Sequence, residues 1–140
     1  MRFHFNSEGK LERVRCSLPF PVSTNTFYRN FNGRMVISKR GRDFKSEVGI
    51  LIQSERGGHG VPLFGKELVS LNMILNPPDR RKRDIDNFSG KSILDSLIGL
   101  VYEDDSQVRK LTVEFGEVKK GGELLLECRR YETKTSDLRG

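Results

Sequence analysis

The densest concentration of chemically useful side chains lies in the middle of the chain, where a run of cations meets a pair of acids. Four basic residues at 80–83 run directly into Asp84-Ile85-Asp86-Asn87. In extended backbone, side chains two residues apart point the same way, so Asp84 and Asp86 are predicted to present their oxygens to one hard cation such as Mg²⁺. Such a pair beside arginines suits phosphodiester hydrolysis, because a metal activates water while the cations position the phosphate.

The same charges have a plainer interpretation, in which the segment is an exposed loop whose cations and carboxylates pair with each other at little net gain.

A second acidic cluster, Glu103-Asp104-Asp105, follows the next predicted helix. The returning chain could bring one of these acids near Asp84 and Asp86 and complete a metal site. The competing interpretation is a turn or a helix cap, which aspartate and serine both favour.

Lys91 is a third candidate, because it lies in the first turn of the helix predicted after Asp86. From that position its ammonium could reach a phosphate or a leaving oxygen. The ordinary alternative is an exposed helix lysine that contacts only water.

The charge balance favours a nucleic-acid partner. Lys and Arg number 25 against 19 acids, for a net charge of +6, so the surface should attract a polyanion. No apolar run approaches the roughly 20 residues that span a bilayer, and the start lacks a secretion signal. We therefore expect a soluble, cytoplasmic protein with no membrane partner. Cys16 and Cys128 are predicted to be reduced thiols, and a zinc site made from them with His4 and His59 is disfavoured by their scattered spacing.

The elements that must position these residues begin with strands. Alternation of apolar and polar residues predicts a hairpin of Arg2–Phe5 with Leu11–Leu18. Prolines then predict an extended loop over Pro19–Asn25. A second hairpin is predicted for Phe27–Phe31 and Arg34–Ile37, because Asn32-Gly33 between them tolerates a tight type I′ turn.

Two helices are predicted. Ser38 can cap the first, whose apolar positions share one face: Phe44, Val48, Leu51 and Ile52. Asn87 or Asp86 can cap the second, which is closed by Gly99 and has an apolar stripe of Ile93, Leu94, Leu97 and Ile98.

The remaining alternation predicts one strand over Val69–Leu75 and a terminal hairpin from Leu111 to Cys128. The length suits a single domain. We therefore predict an α+β fold, a mixed sheet with hairpins covered by about two helices, over residues 1–131. Residues 132–140 are predicted to be a polar, frayed tail.

Three motifs in order resemble the RusA-type Holliday-junction resolvases, over roughly Leu18 through Tyr131. The first is Leu18-Pro19-Phe20-Pro21 with Ser23, Asn25 and Tyr28-Arg29. The second is the basic run with Asp84-Ile85-Asp86-Asn87, and the third is Tyr102-Glu103-Asp104-Asp105-Ser106-Gln107-Val108.

This resemblance implies an enzyme of DNA recombination and repair that resolves four-way junctions by paired, metal-dependent nicks. The catalytic aspartates would be Asp84, Asp86 and Asp105, which would bind Mg²⁺ or Mn²⁺, and the catalytic lysine matches Lys91. The family arginine falls on Arg83, with Arg80, Arg81 and Lys82 as junction contacts. Asn25 and Arg29 would be further DNA contacts. The resemblance also implies a bacterial or phage source, and a homodimer, because symmetric nicks need two active sites.

Two departures from the family pattern affect the site. The family lysine usually follows the second aspartate by four residues, whereas Lys91 follows Asp86 by five. One extra helical residue rotates a side chain by about 100° and moves it by about 1.5 Å, unless Gly90 delays the helix start. Val22 stands where a second proline is common, which should affect only loop stiffness. Residues 1–12 have no clear family counterpart and are interpreted as a local extension.

Several alternatives stay open at this stage. Aromatic residues interleave with arginines near the amino terminus and could stack on exposed bases, although core or dimer contacts are commoner roles. They are Phe20, Phe27, Tyr28 and Phe31. A nuclease acting on flaps would need the same metal site, and a non-catalytic protein that binds branched or single-stranded DNA would use the same positive surface. A sugar or phosphate transferase is disfavoured because no Gly-rich nucleotide cradle is present, so we expect no nucleotide cofactor.

Overall fold

The computed structural model describes residues 1–88 and 90–133, and their secondary structure is strand-rich. The strands are β1 (Arg2–Phe5), β2 (Leu11–Leu18), β3 (Tyr28–Phe31), β4 (Arg34–Ile37), β5 (Val69–Asn76), β6 (Val108–Phe115) and β7 (Glu123–Arg130). The helices are α1 (Thr24–Phe27), α2 (Lys39–Arg56) and α3 (Lys91–Leu97), with 3₁₀ turns at Ile85–Asn87 and Asp105–Gln107.

Two sheets form, which confirms the α+β class. The larger is five-stranded in the order β1-β2-β7-β5-β6, with β5 and β6 parallel and its other pairs antiparallel. The smaller is the β3–β4 hairpin, where Asn32 and Gly33 both take positive φ, 52° and 78°, as the type I′ prediction requires. Because β5 and β6 are parallel, the chain between them must cross over, and this connection contains α3 and both acidic clusters.

The hydrophobic core lies between one face of the large sheet and the helices. Leu71 and Met73 from β5 are at most 1% exposed, and strand alternation places Ser70 and Asn72 on the opposite face. Buried residues of the helices cover the core face: Phe44, Val48 and Ile52 from α2, and Ile93 and Leu97 from α3. The predicted stripes are thus largely confirmed, although Leu51 and Ile98 lie at their edges and are 36% and 37% exposed.

Three predictions about elements were wrong. The terminal hairpin predicted from Leu111 to Cys128 does not form, because β5 lies between β6 and β7 in the sheet and pairs with both of them. The loop predicted over Pro19–Asn25 ends early, because the Ser23 hydroxyl accepts from the Thr26 N–H and begins α1 at Thr24. The second helix is not capped by Asn87 or Asp86. It begins at Lys91 with Gly90 as its N-cap, because residues 85–87 form a separate 3₁₀ turn instead.

Cys16 and Cys128 are free thiols, as predicted, and burial raises the pKa of Cys16 to about 11. Within the ranges that the structure describes, no helix is long and apolar enough to span a membrane. Most of the tail predicted at 132–140 lies outside the described residues, since only Glu132 and Thr133 fall within them.

Gly41 sets how closely α2 approaches α1. A Cβ built there would lie 2.6 Å from the Phe27 carbonyl oxygen and 2.9 Å from Ile37 Cγ2, distances that force a backbone or core shift. We therefore expect Gly41→Ala to lower the free energy of unfolding by about 1–3 kcal/mol, the usual range for overpacking. Chemical denaturation would measure this loss.

The matched control is Gly49→Ala in the same helix, because a Cβ at Gly49 meets nothing within 4 Å. That substitution should stabilise the protein by about 0.5–1 kcal/mol, since alanine favours helix over glycine. Equal effects of the two substitutions would contradict the packing account.

Candidate active site and nucleic-acid interface

Only the first residue of the Asp84 and Asp86 pair has the extended backbone that was predicted, because a tight turn begins directly after it. Asp84 is extended, but the Asn87 N–H donates to the Asp84 carbonyl at 3.1 Å and the Phe88 N–H to the Ile85 carbonyl at 3.0 Å, which closes the 3₁₀ turn. The spacing of the two acids was interpreted on extended backbone, because the sequence here carries no signal of this turn. Asp84 and Asp86 are both exposed.

Two side chains of helix α1 hold this turn in place. Thr24 Oγ1 donates to the Asn87 carbonyl at 3.1 Å, and Asn25 Nδ2 donates to Asn87 Oδ1 at 3.2 Å. Asn25, which the sequence identified as a DNA contact, therefore uses its amide to hold the acidic turn. The first and second motifs are in direct contact.

The third motif forms a braced turn that separates the roles of its two adjacent aspartates. Asp104 caps the 3₁₀ turn at 105–107, because its carboxylate accepts from the Ser106 N–H. The buried Gln107 side chain ties the turn to the body through the backbone N–H groups of Glu103 and Asp104 and the carbonyls of Gly65 and Glu67. Asp104 thus has the capping role, and Asp105 remains for another contact.

Its neighbour is Asp95 on α3, because the turn at 105–107 packs against that helix and the negative charge of Asp95 acts on Asp105. The Tyr28 hydroxyl donates to Asp95 Oδ2. On the same side of α3, Lys91 Nζ lies 5.3 Å from the centre of the Tyr28 ring. The structure therefore brings Lys91 and Asp105 together with Asp95 and Tyr28.

The electrostatics of this cluster follow from its packed acids. Burial raises the pKa of Asp105, and the negative charges of Asp104 and Asp95 raise it further. Burial and the hydrogen bond to Asp95 also raise the pKa of Tyr28, so its phenol stays protonated and remains a donor. A cation would relieve the repulsion between these carboxyl groups.

Asp95 and the role of Tyr28 were missed by sequence reasoning. Asp95 lies outside the apolar stripe predicted for its helix and was not singled out. Its spacing of four residues from Lys91 was the available signal, because residues four apart on a helix are neighbours. The contacts with Tyr28 and Asp105 join distant parts of the chain and have no local signature.

Lys91 is the first residue of α3, after a Gly90 whose backbone is not helical. Helix α3 therefore begins only at Lys91, as expected if Gly90 delays the helix start and absorbs the extra residue between Asp86 and Lys91. The hydroxyl of buried Tyr102 donates to the Leu94 carbonyl at 2.7 Å, which joins α3 to the third motif.

The basic segment divides into one embedded arginine and exposed cations. Arg83 has a side chain only 16% exposed, pairs with Asp79 at 2.9 Å and lies over the Phe20 ring with its guanidinium 5.5 Å from the ring centre. Arg81, 83% exposed, approaches the other Asp79 oxygen at 3.5 Å. The Arg81 N–H and the Arg83 guanidinium lower the pKa of Asp79. Arg80 and Lys82 are exposed, with no ion-pair partner among the residues that the structure describes.

A groove of about 390 Å³ lies beside this segment. Arg40 from the first turn of α2 and Arg81 and Arg83 from the basic segment contribute cations, and Phe20 and Phe88 contribute apolar surface. The two rings pack against each other with centres 5.3 Å apart. The mixture of cations and apolar surface suits a sugar-phosphate backbone.

The four aromatic candidates have different positions. Phe27 is fully buried, so it is a core residue and not a stacking platform. Phe20 and Tyr28 are partly buried in the contacts already described. Phe31, at the tip of the β3–β4 hairpin, is 53% exposed, and the Arg29 guanidinium lies 5.2 Å from its ring centre. Of the four aromatic candidates, only Phe31 therefore has a ring accessible to a base or a partner protein.

The donor chemistry fits a hard divalent cation. Asp84, Asp86, Asp95 and Asp105 offer carboxylate oxygens, the donors that Mg²⁺ and Mn²⁺ prefer. Within residues 1–88 and 90–133, no three acidic, histidine or cysteine side chains converge as a ready metal cluster. The acids form two groups, Asp84 with Asp86 and Asp95 with Asp105. Helix α1 contacts the turn that carries the first group, and Tyr28, the residue after α1, contacts Asp95 of the second.

Comparison with known proteins agrees with the three motifs. The profile of the family described as "Endodeoxyribonuclease RusA" matches residues 19–126. Two relatives called crossover junction endodeoxyribonuclease rusA, from Enterobacteria phages HK97 and 82, are 32% and 35% identical over 117 residues, which cover 83% of this chain and 93% of each relative. The protein of the same name from Escherichia coli K12 is 34% identical over 111 residues, 79% of this chain and 88% of the relative.

Proposed function

Because the chain belongs to the RusA family of endodeoxyribonucleases, we infer that it is a crossover junction endodeoxyribonuclease, a nuclease that resolves four-way DNA junctions. One observation supports placing this function at the site: contacts link all three family motifs on one side of the molecule. The amino-terminal motif touches the acidic turn through Asn25 and touches α3 through Tyr28, and α3 touches the third motif through the hydrogen bond from Tyr102 to the Leu94 carbonyl. A non-catalytic DNA-binding protein is not favoured, since the relatives are named as endonucleases.

From their match to the family motifs, we propose that Asp84, Asp86 and Asp105 hold Mg²⁺, with Mn²⁺ as a substitute, and that the two groups of acids would draw together around the cation. When bound, the metal would activate a water molecule and offset negative charge that develops on the scissile phosphate. The raised pKa of Asp105 supports this assignment, because crowded carboxyl groups are typical of sites that bind a cation.

Lys91 would contact the scissile phosphate or the leaving oxygen. Its side chain is exposed at the start of α3, beside the Tyr28 ring, so DNA can reach the ammonium from solvent. An ammonium at this position can stabilise charge or donate a proton as the P–O bond breaks.

Arg80, Arg81 and Lys82 would bind the junction backbone, because they are exposed beside the acidic turn. Arg83 would shape the segment through Asp79 and Phe20 more than contact DNA. The groove beside it extends this surface as far as Arg40, so a strand could continue from the site toward α2.

The interface makes a prediction about salt. Arg80→Ala with Lys82→Ala should weaken junction binding and reduce the slope of log affinity against log salt by roughly 1–2, because each lost phosphate contact releases about one counterion fewer. Fluorescence anisotropy at several salt concentrations, with Ca²⁺ in place of Mg²⁺, would measure this slope.

Lys110→Ala is the matched control, because Lys110 is exposed and pairs with Ser70 on the face of the sheet that is opposite to the core. Its loss should leave the slope unchanged. A larger effect from Lys110 than from Arg80 and Lys82 would place the DNA on that other face and contradict the interface.

We further propose a homodimer, since two symmetric nicks in one junction require two active sites and the chain supplies one set of catalytic motifs. The two copies would then present their sites to opposing strands. The protein would act in DNA recombination and repair.

The metal requirement tests the proposed chemistry. Cleavage of a labelled four-way junction should need added Mg²⁺ or Mn²⁺ and should stop when EDTA is added, while binding of the junction in Ca²⁺ remains measurable. Undiminished cleavage in EDTA would contradict the metal-dependent mechanism.

A further inference from the structure

Tyr28 occupies an unusual place between two oppositely charged residues of one helix. Lys91 and Asp95 are one helical turn apart, the spacing at which lysine and aspartate ordinarily form an ion pair. However, in the part of the chain that the structure describes, no ion pair joins Lys91 to Asp95. The Tyr28 ring instead lies beneath the Lys91 ammonium, and the Tyr28 hydroxyl donates to Asp95.

The backbone and the core hold Tyr28 in this place. It follows α1 directly and begins β3, where it pairs with Ile37. Its ring packs edge-on against Phe27, with ring centres 4.7 Å apart, and Phe27 is fully buried. A side chain fixed at its base by strand pairing and along its ring by a core residue can keep two neighbouring groups apart.

This arrangement orients Lys91 and Asp95 in different ways. The ammonium stays exposed over the ring face at 5.3 Å, within the range of a cation–π contact, which leaves its hydrogen-bond donors available. The Asp95 carboxylate accepts a hydrogen bond from the Tyr28 hydroxyl at Oδ2 and lies beside Asp105, since α3 packs against the turn at 105–107. A direct ion pair between Lys91 and Asp95 would withdraw both from these positions.

We propose that Tyr28 is a positioning residue of the nuclease, which prevents Lys91 from pairing with Asp95 and holds Asp95 against Asp105. This inference rests on the proposed function and adds two residues to it. Lys91 then meets the DNA as an unpaired ammonium, and Asp95 supports the orientation of Asp105 without contacting the reacting atoms.

The test is a double-mutant cycle on single-turnover cleavage of a four-way junction with Mg²⁺. Tyr28→Ala should slow cleavage by about 10- to 100-fold, the usual effect of losing an outer contact of a metal site, while junction affinity in Ca²⁺ stays within about twofold. Asp95→Asn alone should slow cleavage by roughly tenfold. Tyr28→Phe keeps the ring and loses the hydroxyl, so it should resemble Asp95→Asn and not Tyr28→Ala.

The decisive comparison is the double variant. Once Tyr28 is alanine, the Asp95 carboxylate is free to capture Lys91, so adding Asp95→Asn should restore cleavage by roughly fivefold over Tyr28→Ala alone. A purely structural role for Tyr28 predicts no such rescue, because a second substitution would only add damage. Tyr28→Leu replaces Tyr28→Ala in the cycle if the alanine variant does not fold.

The outcomes separate this inference from the proposed function. Cleavage by the unmodified protein with a slow, rescued Tyr28→Ala variant supports both. Cleavage by the unmodified protein with an unaffected Tyr28→Ala variant, or a slow one that Asp95→Asn does not rescue, overturns the positioning role alone. Absence of metal-dependent cleavage by the unmodified protein overturns the proposed function and this inference with it.

Discussion

Asp86→Asn is expected to lower the rate of junction cleavage by about 100-fold or more, because it removes a carboxylate charge from the proposed metal site while keeping the shape of the side chain. The exposed position of Asp86 on the 3₁₀ turn makes a folding defect a poor explanation for such a loss. Single-turnover cleavage of a labelled junction at saturating protein would measure it.

Binding should respond differently from cleavage. Removing a negative charge beside the basic segment reduces repulsion of the phosphates, so junction affinity in Ca²⁺ should be unchanged or higher. Asp43→Asn on α2 is the control, because Asp43 is an exposed acid whose partner is Lys39 at 3.1 Å. If Asp43→Asn and Asp86→Asn slow cleavage equally, Asp86 has no special place in the chemistry.

Lys91→Met is the second large effect expected. Methionine keeps much of the lysine length and its contact with the Tyr28 ring, but it removes the ammonium that lies 5.3 Å from the ring centre. Loss of a group that donates a proton or stabilises developing charge typically costs about 10²- to 10⁴-fold. The measurement is the maximal cleavage rate, separated from junction affinity by a protein titration.

The control for Lys91 is Lys39→Met, since Lys39 is also an exposed lysine in the first turn of its helix. That variant should cleave at nearly the unmodified rate. A wild-type rate for Lys91→Met would mean that the extra residue between Asp86 and Lys91 has moved the lysine out of the reaction, contrary to the proposal.

Local patterns predicted most of the individual elements. Both amino-terminal hairpins were found because alternation and an Asn-Gly turn act within a few residues. The long helix α2 was found because Ser38 caps it and its buried residues share one face. The sheet order was not predictable, because β7 pairs with β2 and β5 across long sequence separations that no local pattern encodes.

The site was predictable where a motif carried it and not where the fold assembled it. Asp105 could be separated from Asp104 only by resemblance, and the structure gives the physical reason, since Asp104 is used as a cap. The backbone at Asp86 was predicted wrongly, because a turn of three residues leaves little pattern. Asp95 was missed because only its position beside Tyr28 of the first motif and Asp105 of the third distinguishes it from other polar helix residues.

The most direct test of the central claim is to map the products of the unmodified protein on a four-way junction and on a matched linear duplex, each strand labelled in turn, with Mg²⁺ present. The account predicts nicks at symmetric positions on two opposing strands of the junction and no cleavage of the linear duplex. Equal cleavage of both substrates, or tight junction binding without nicks under any divalent metal, would contradict the assignment as a junction resolvase.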